Sequence, residues 1–202
     1  MTLPDMQGDG AMAESDALIA AKREARARGL AARAAGDPRL GLGLAGWVLA
    51  SLRLPPRAIV SGYWPLRDEI DPRPLMLALA GRGHPLALPI AGARGTVMGF
   101  RRFRFGDVLA QGPFGTCHPS PLAEAVTPAV LLVPLVAFDA AGGRIGHGAG
   151  YYDRTLAALR QQRRVLALGI AYAAQRQPRV PVGPHDMPLD AVATEEGLVA
   201  PA

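Results

Sequence analysis

Cysteine, lysine and aromatic side chains are all scarce in this sequence. Cys117 is its single cysteine, which excludes an intramolecular disulfide and any structural zinc site built on several thiolates, and fits a reducing compartment. Aromatic residues are only 5% of the chain, so the core must be built mostly from Ala, Leu and Val. No apolar run approaches the roughly 20 residues that a membrane-spanning helix needs. The best candidate, Ala129 to Phe138, is interrupted by Pro134. Residues 1–13 carry Asp5 and Asp9 and have neither a basic leader nor an apolar centre, which excludes a signal peptide there. The expected location is the cytoplasm, with no membrane partner.

What is abundant is small and turn-forming. Half of the 202 residues are hydrophobic, enough for one well-cored domain, expected over residues 14–202 after a disordered leader at 1–13. The 24 glycines and 19 prolines punctuate that domain into many short elements, as in a layered α/β protein. The net charge is +5 and comes almost entirely from arginine, since Lys22 is the sole lysine. These arginines are scattered and lack interleaved aromatics, so no nucleic-acid partner is expected. A monomer is favoured.

The pattern predicts a first helix from Ser15 or Asp16 to Ala35, stopped by Gly36-Asp37-Pro38, and a second from Pro38 to Leu52, stopped by Pro55-Pro56. Ala58 to Ser61 reads as a short buried strand. After a loop from Gly62 to Ile70, Asp71 caps a helix with Pro72 in its first position and Leu75, Met76 and Leu79 facing inward. Further strands are expected at His84 to Ile90, Thr96 to Phe103, Ala129 to Val136, Arg164 to Ala171 and Ala191 to Thr194, with a helix from Tyr151 to Gln162. Apolar alternation also marks Val180-Pro181-Val182. Cys117-His118 reads as loop, because sequence neighbours seldom have the geometry of a nucleophile and its base.

The most informative segment runs from Leu132 to Leu156, LVPLVAFDAAGGRIGHGAGYYDRTL. It reads as a buried strand, a loop of alternating glycines and the start of a helix. Glycines admit close approach of backbone N–H groups to an anion, and the helix N-terminus favours negative charge, so the geometry suits phosphate. Gly-x-Gly-x-Gly alone is equally at home in an ordinary strand-to-helix turn.

Phe138-Asp139 followed by Arg144 to Asp153, with Gly146-His147-Gly148-Ala149-Gly150-Tyr151-Tyr152 between, resembles the signature loop of the 5-formyltetrahydrofolate cyclo-ligase family. Gly62-Tyr63-Trp64-Pro65-Leu66-Arg67-Asp68-Glu69-Ile70-Asp71 is similar to its folate-binding stretch. Lys22-x-x-x-Arg26 resembles the ATP-contacting pair on its first helix, and Val180 to Asp190 resembles its C-terminal Val-Pro-x-x-x-x-Asp-x-x-x-Asp. Together these segments cover nearly all of the chain from Lys22 to Asp190.

The resemblance implies a three-layer α/β/α sandwich with a largely parallel central sheet. It also implies an ATP-dependent ligase that converts 5-formyltetrahydrofolate to 5,10-methenyltetrahydrofolate with magnesium. Carried onto this sequence, ATP falls to Lys22, Arg26, Arg144, Ile145, Gly146, His147, Gly148, Ala149, Gly150, Tyr151 and Tyr152. The folate falls to Trp64 and Glu69, shared with His147, Gly148, Ala149, Gly150 and Tyr151, and the metal to Asp153 and Asp186. No protein nucleophile is implied. Two positions depart from the commoner choices: His147 stands where some members have arginine or an aromatic, and Ala149 where many have glycine or lysine. A relative that binds nucleotide or folate without cyclising it is the alternative these departures leave open; the basic pI leaves an RNA-binding role as another.

Overall fold

The computed structural model describes residues 14–66 and 68–201, so the leader at 1–13 and Arg67 fall outside the described residues. In chain order it contains α1 (Asp16–Ala34), a 3-10 turn at Pro38–Leu40, α2 (Gly41–Ser51), β1 (Val60–Ser61), α3 (Arg73–Gly81), β2 (Leu86–Ile90) and β3 (Gly99–Phe103). A small pair follows, β4 (Leu109–Gln111) and β5 (Cys117–Pro119). The second half comprises β6 (Val130–Pro134), β7 (Ala137–Phe138), β8 (Arg144–Ile145), α4 (Tyr151–Gln162), β9 (Leu166–Ile170), β10 (Ala191–Thr194) and β11 (Gly197–Val199).

The main sheet has seven strands in the order β11-β10-β9-β6-β1-β2-β3. Its five inner strands run parallel, and β3 and β11 close the two edges antiparallel. Both faces are buried. On β6, Val130 and Leu132 point into a core shared with Leu44 and Val48 of α2 and Leu75, Met76 and Leu79 of α3. Leu131 and Val133 point to the opposite face, where they meet Leu156 of α4. That alternation makes the expected three layers from one run of branched residues.

α1 does something different. Its contacts are with β7, β8 and a 3-10 turn at Ala173–Gln175, so it lies across the end of the sheet. Ser15 caps it through a bond from Leu18 N to Oγ at 3.3 Å. Its buried residues are Ala25, Gly29 and Arg33. Gly29 is fixed by packing: a Cβ there would lie 2.8 Å from the Val136 carbonyl carbon and 3.0 Å from Ala137 Cβ.

Several boundaries differ from expectation. Thr96 to Phe103 yields a strand only from Gly99, where pairing with Ile90 ends the β2–β3 ladder. Helix α3 begins at Arg73 with Pro72 before it, and Asp71 accepts from Arg73 N at 2.9 Å instead of capping a longer helix. Cys117 and His118 belong to β5, paired with β4. No strand forms at 180–182, where Val180 is instead a buried anchor packed with Ala25, Ala137 and Ile145. No helix among the described residues is long and apolar enough to cross a membrane.

Candidate active site

The chain passes from β1 to β2 in one direction along the sheet, and later from β6 to β9 and β10 in the other. The reversal lies between β1 and β6, and loops leaving the carboxyl ends of adjacent strands at such a point border a crevice. The two loops here are residues 62–71 after β1 and the glycine-rich segment that leads from β6 through β7 and β8 to α4. Both sequence motifs therefore arrive at one place, with α1 lying over them.

The glycine-rich loop is built from its base. Asp139 is 5% exposed and its carboxylate accepts from the N–H groups of Ala141, Gly143 and Val180 at 2.9–3.0 Å. One buried charge thus ties the β7–β8 turn to the C-terminal segment. Further along, Gly148 has φ +95° and Gly150 φ +67°, backbone that favours glycine. Two arginines take carbonyls in this stretch: Arg26 Nε donates to Gly146 O at 2.8 Å, and Arg154 Nη2 donates to Ala149 O at 2.6 Å. Tyr151 is held by its hydroxyl, which donates to Gly92 O at 2.9 Å. With its carbonyls engaged from outside, the loop can present N–H groups to an anion.

A second cluster forms where this loop meets the C-terminal turn. Arg144, 7% exposed, donates from Nη2 to Asp153 Oδ1 at 2.5 Å and from Nη1 to Met187 O. Burial draws its guanidinium below the ordinary arginine value, against the pull of Asp153 and Asp186. Met187 N donates to the same Asp153 oxygen at 3.1 Å, which brings Asp153 beside Asp186. Asp186 Oδ2 accepts from Gly183 N at 2.6 Å and pairs with Lys22 Nζ at 2.6 Å. Lys22 also pairs with Glu14. Burial lowers the Lys22 pKa, but the two carboxylates outweigh it and the net shift is upward.

The third cluster centres on Glu69, 5% exposed. The 62–71 loop folds back so that Leu66 N donates to Glu69 Oε2 at 2.9 Å, and Tyr63 braces it by donating to Ile70 O at 3.3 Å. Glu69 Oε1 faces Arg33 Nη1 at 3.4 Å and lies 3.7 Å from His147 Nε2. Burial, and then the field of Glu69, raises the Tyr152 phenol well above its ordinary range, so it remains a neutral hydroxyl.

The described bonds thus engage Lys22, Arg144, Asp153 and Asp186 in one cluster, Glu69 and His147 through Arg33 in another, and Gly146 and Ala149 separately through Arg26 and Arg154. Trp64 takes part in none of these bonds. Its ring lies edge-on to Phe103 at 6.0 Å and under the Arg73 guanidinium at 5.1 Å, so β3 and α3 set its position. Asp190 is structural, accepting from Ala167 N and Arg160 at 2.7 Å. Arg33 and Arg154 were not among the expected site residues. The available signal for Arg33 was its spacing, four and eleven positions beyond Gly29 and Lys22, which puts it on the same helical face. A cavity of about 300 Å³ lined by Met98, Phe100, Val126, Thr155 and Leu159 lies between β3 and α4 and includes none of these residues.

Residues 46–195 match the model of the 5-formyltetrahydrofolate cyclo-ligase family. The 5-formyltetrahydrofolate cyclo-ligase of Mycolicibacterium smegmatis is 33% identical over 166 residues, covering 78% of this chain and 83% of that protein. That of Escherichia coli K12 is 33% identical over 132 residues, 62% of this chain and 71% of the relative. The Aquifex aeolicus 5,10-methenyltetrahydrofolate synthetase structure superposes with a TM-score of 0.72 at 29% identity, covering 89% of this chain and 92% of its own. The Mycoplasma pneumoniae synthetase shares the fold, with a TM-score of 0.67 at 22% identity. The chain therefore belongs to the 5-formyltetrahydrofolate cyclo-ligase family, and it is an ATP-dependent ligase.

Proposed function

We propose that this cyclo-ligase closes 5-formyltetrahydrofolate to 5,10-methenyltetrahydrofolate in the crevice between α1, the 62–71 loop and the glycine-rich loop. The observation that carries this placement is the convergence of a cationic, amide-rich loop and a buried, hydrogen-bonding carboxylate at one switch point of the sheet. Such a site can receive a polyphosphate on one side and an amino-pyrimidinone edge on the other.

The reaction needs alignment and charge neutralisation more than a protein nucleophile. The formyl oxygen attacks the γ-phosphorus as the bond to ADP breaks; N10 then attacks the activated formyl carbon and gives up its proton to solvent, and phosphate departs with that oxygen. Lys22, Arg26 and the N–H groups of residues 145–152 hold the phosphates. Glu69 accepts from the pterin edge, and Trp64 supplies a flat apolar wall beside it. Residues 147–151 lie between and touch both substrates.

Asp153 and Asp186 suit magnesium. Both described bonds to Asp153 use Oδ1 and both to Asp186 use Oδ2, so each keeps one oxygen for a cation. Two carboxylates are enough for magnesium, which completes its shell with water and substrate phosphate. When bound it would neutralise charge on the β- and γ-phosphates.

Calorimetry and initial rates test the division of labour. Glu69→Gln is expected to weaken 5-formyltetrahydrofolate binding by roughly tenfold with the KM for ATP little changed, and Arg26→Ala the reverse. If Glu69→Gln leaves folate affinity intact, or if both variants impair the same substrate, the assignment of the two sides is wrong.

A further inference from the structure

Arg33 is a buried cation with three partners and no role yet in the reaction. It is 4% exposed, and it reaches from α1 between the two substrate loops. Nε donates to Asp68 Oδ2 at 3.0 Å. Nη1 lies 3.4 Å from Glu69 Oε1 and 3.2 Å from His147 Nε2.

A guanidinium has five N–H donors and no acceptor. The 3.2 Å contact to His147 is therefore a hydrogen bond only if Nε2 carries a lone pair, which places the ring proton on Nδ1. The nearer edge of the imidazole is occupied by Arg33, while the side chain as a whole is 47% exposed. The one polar hydrogen that His147 can offer a ligand is then Nδ1–H. The same Arg33 nitrogen balances the Glu69 carboxylate and so sets where its oxygens lie.

We propose that Arg33 is a positioning residue for the folate side of this enzyme: it fixes Glu69 and orients the His147 ring, with Nδ1–H as the donor presented to substrate. This rests on the assignment of Glu69 and His147 to folate. It also accounts for the departure at position 147. An arginine on the loop would bring a second guanidinium against the carboxylate that Arg33 already balances. In this chain the cation comes from α1, and the loop supplies an imidazole in its place.

Nitrogen-15 NMR of the histidine-labelled protein, with His147→Gln to identify the signal, reads the tautomer directly. The expected result is a protonated Nδ1 and an unprotonated Nε2. In Arg33→Leu that preference is expected to disappear and the folate Kd to rise by roughly tenfold or more, the loss of a hydrogen-bonded charged partner, with the KM for ATP within about twofold. His147→Arg alone should weaken folate binding by a similar factor, and Arg33→Leu added to His147→Arg should restore most of it. A protonated Nε2 in the unaltered protein overturns the proposal without touching the site assignment. The expected tautomer with unchanged folate affinity in Arg33→Leu overturns the positioning role of Arg33, whereas intact folate affinity in Glu69→Gln is the separate result that overturns the assignment of Glu69 to folate. Should Arg33→Leu not fold, the tautomer and His147→Arg decide: a harmless His147→Arg would refute the charge argument.

Discussion

Gly29→Ala sets a local preference against a tertiary contact. In an exposed helix interior this substitution stabilises by about 1 kcal/mol. At Gly29 the new Cβ would sit 2.8 Å from the Val136 carbonyl carbon, and ordinary contact begins at 3.4 Å. The Val136 carbonyl oxygen is nearer still, so relieving the clash moves α1 outward by at least about 0.6 Å, the difference of those two distances. The Arg26 bond to Gly146 O, now 2.8 Å, would stretch to about 3.4 Å, beyond the 2.7–3.2 Å of a normal N–H···O bond. The Arg33 contact to Glu69, at 3.4 Å, would open to about 4 Å by the same shift. Overpacking strain of about 1–3 kcal/mol exceeds or cancels the helix gain, so stability in urea is expected to fall by up to about 2 kcal/mol. Turnover is the sharper readout. Misplacement on this scale costs on the order of 10–100-fold, measured as ATP-dependent growth of the methenyl chromophore in near-ultraviolet absorbance. Gly46→Ala, where nothing lies within 4 Å of the added Cβ, is the control and should be neutral or mildly stabilising with full activity. If Gly29→Ala were stabilised like the control and turned over normally, the close seating of α1 would be refuted.

Asp153→Asn is expected to abolish turnover even at saturating magnesium and to lower thermal stability, because it removes the charge opposite buried Arg144; a full rate would remove Asp153 from the site. Asp139→Ala should cost roughly 1–3 kcal/mol or more, since it strands three backbone donors, and activity should fall with the loop it supports; urea denaturation with unchanged midpoint and slope would contradict that role. Tyr172 Oη is buried without a hydrogen-bond partner among the described residues. Tyr172→Phe is therefore expected to leave the melting temperature unchanged or raise it, and a loss of several degrees would mean that the hydroxyl has a partner in solution.

The layers were legible because their signals are local. Tyr151–Gln162 and Ala191–Thr194 begin and end where the pattern places them, since Gly150 precedes the helix and turn residues flank the strand. Pro134 closes β6 two residues short of the expected Val136. What escaped the sequence was short or relational. The three-residue strands β4 and β5 lie in a stretch crowded with Gly and Pro, and β7 and β8 have two residues each, too short for a period to register. The antiparallel sense of β3 depends on its partner. In the site, motifs located the glycine-rich loop, Glu69 and the two aspartates because their spacing along the chain is fixed. Arg33 carries no such mark. On a helix of alanine and arginine it resembles any solvated cation, and only the approach of two remote loops makes it buried. Gly29, taken locally, is only a weak point in a helix, and its reason too lies in a remote contact.

The face of α1 that carries Lys22, Arg26 and Arg33 also works as a ruler. Lys22 meets the turn at Asp186, Arg26 meets Gly146 and Arg33 meets Glu69, over eleven residues that span about 16 Å of helix. Point changes on the outer side of α1 leave that scale untouched. A single residue inserted between Arg26 and Arg33 does not: it lengthens the gap by about 1.5 Å and swings everything beyond it by about 100°, carrying Arg33 away from Glu69 while Arg26 stays in place. The length of this stretch should therefore be far less negotiable over evolutionary time than its composition.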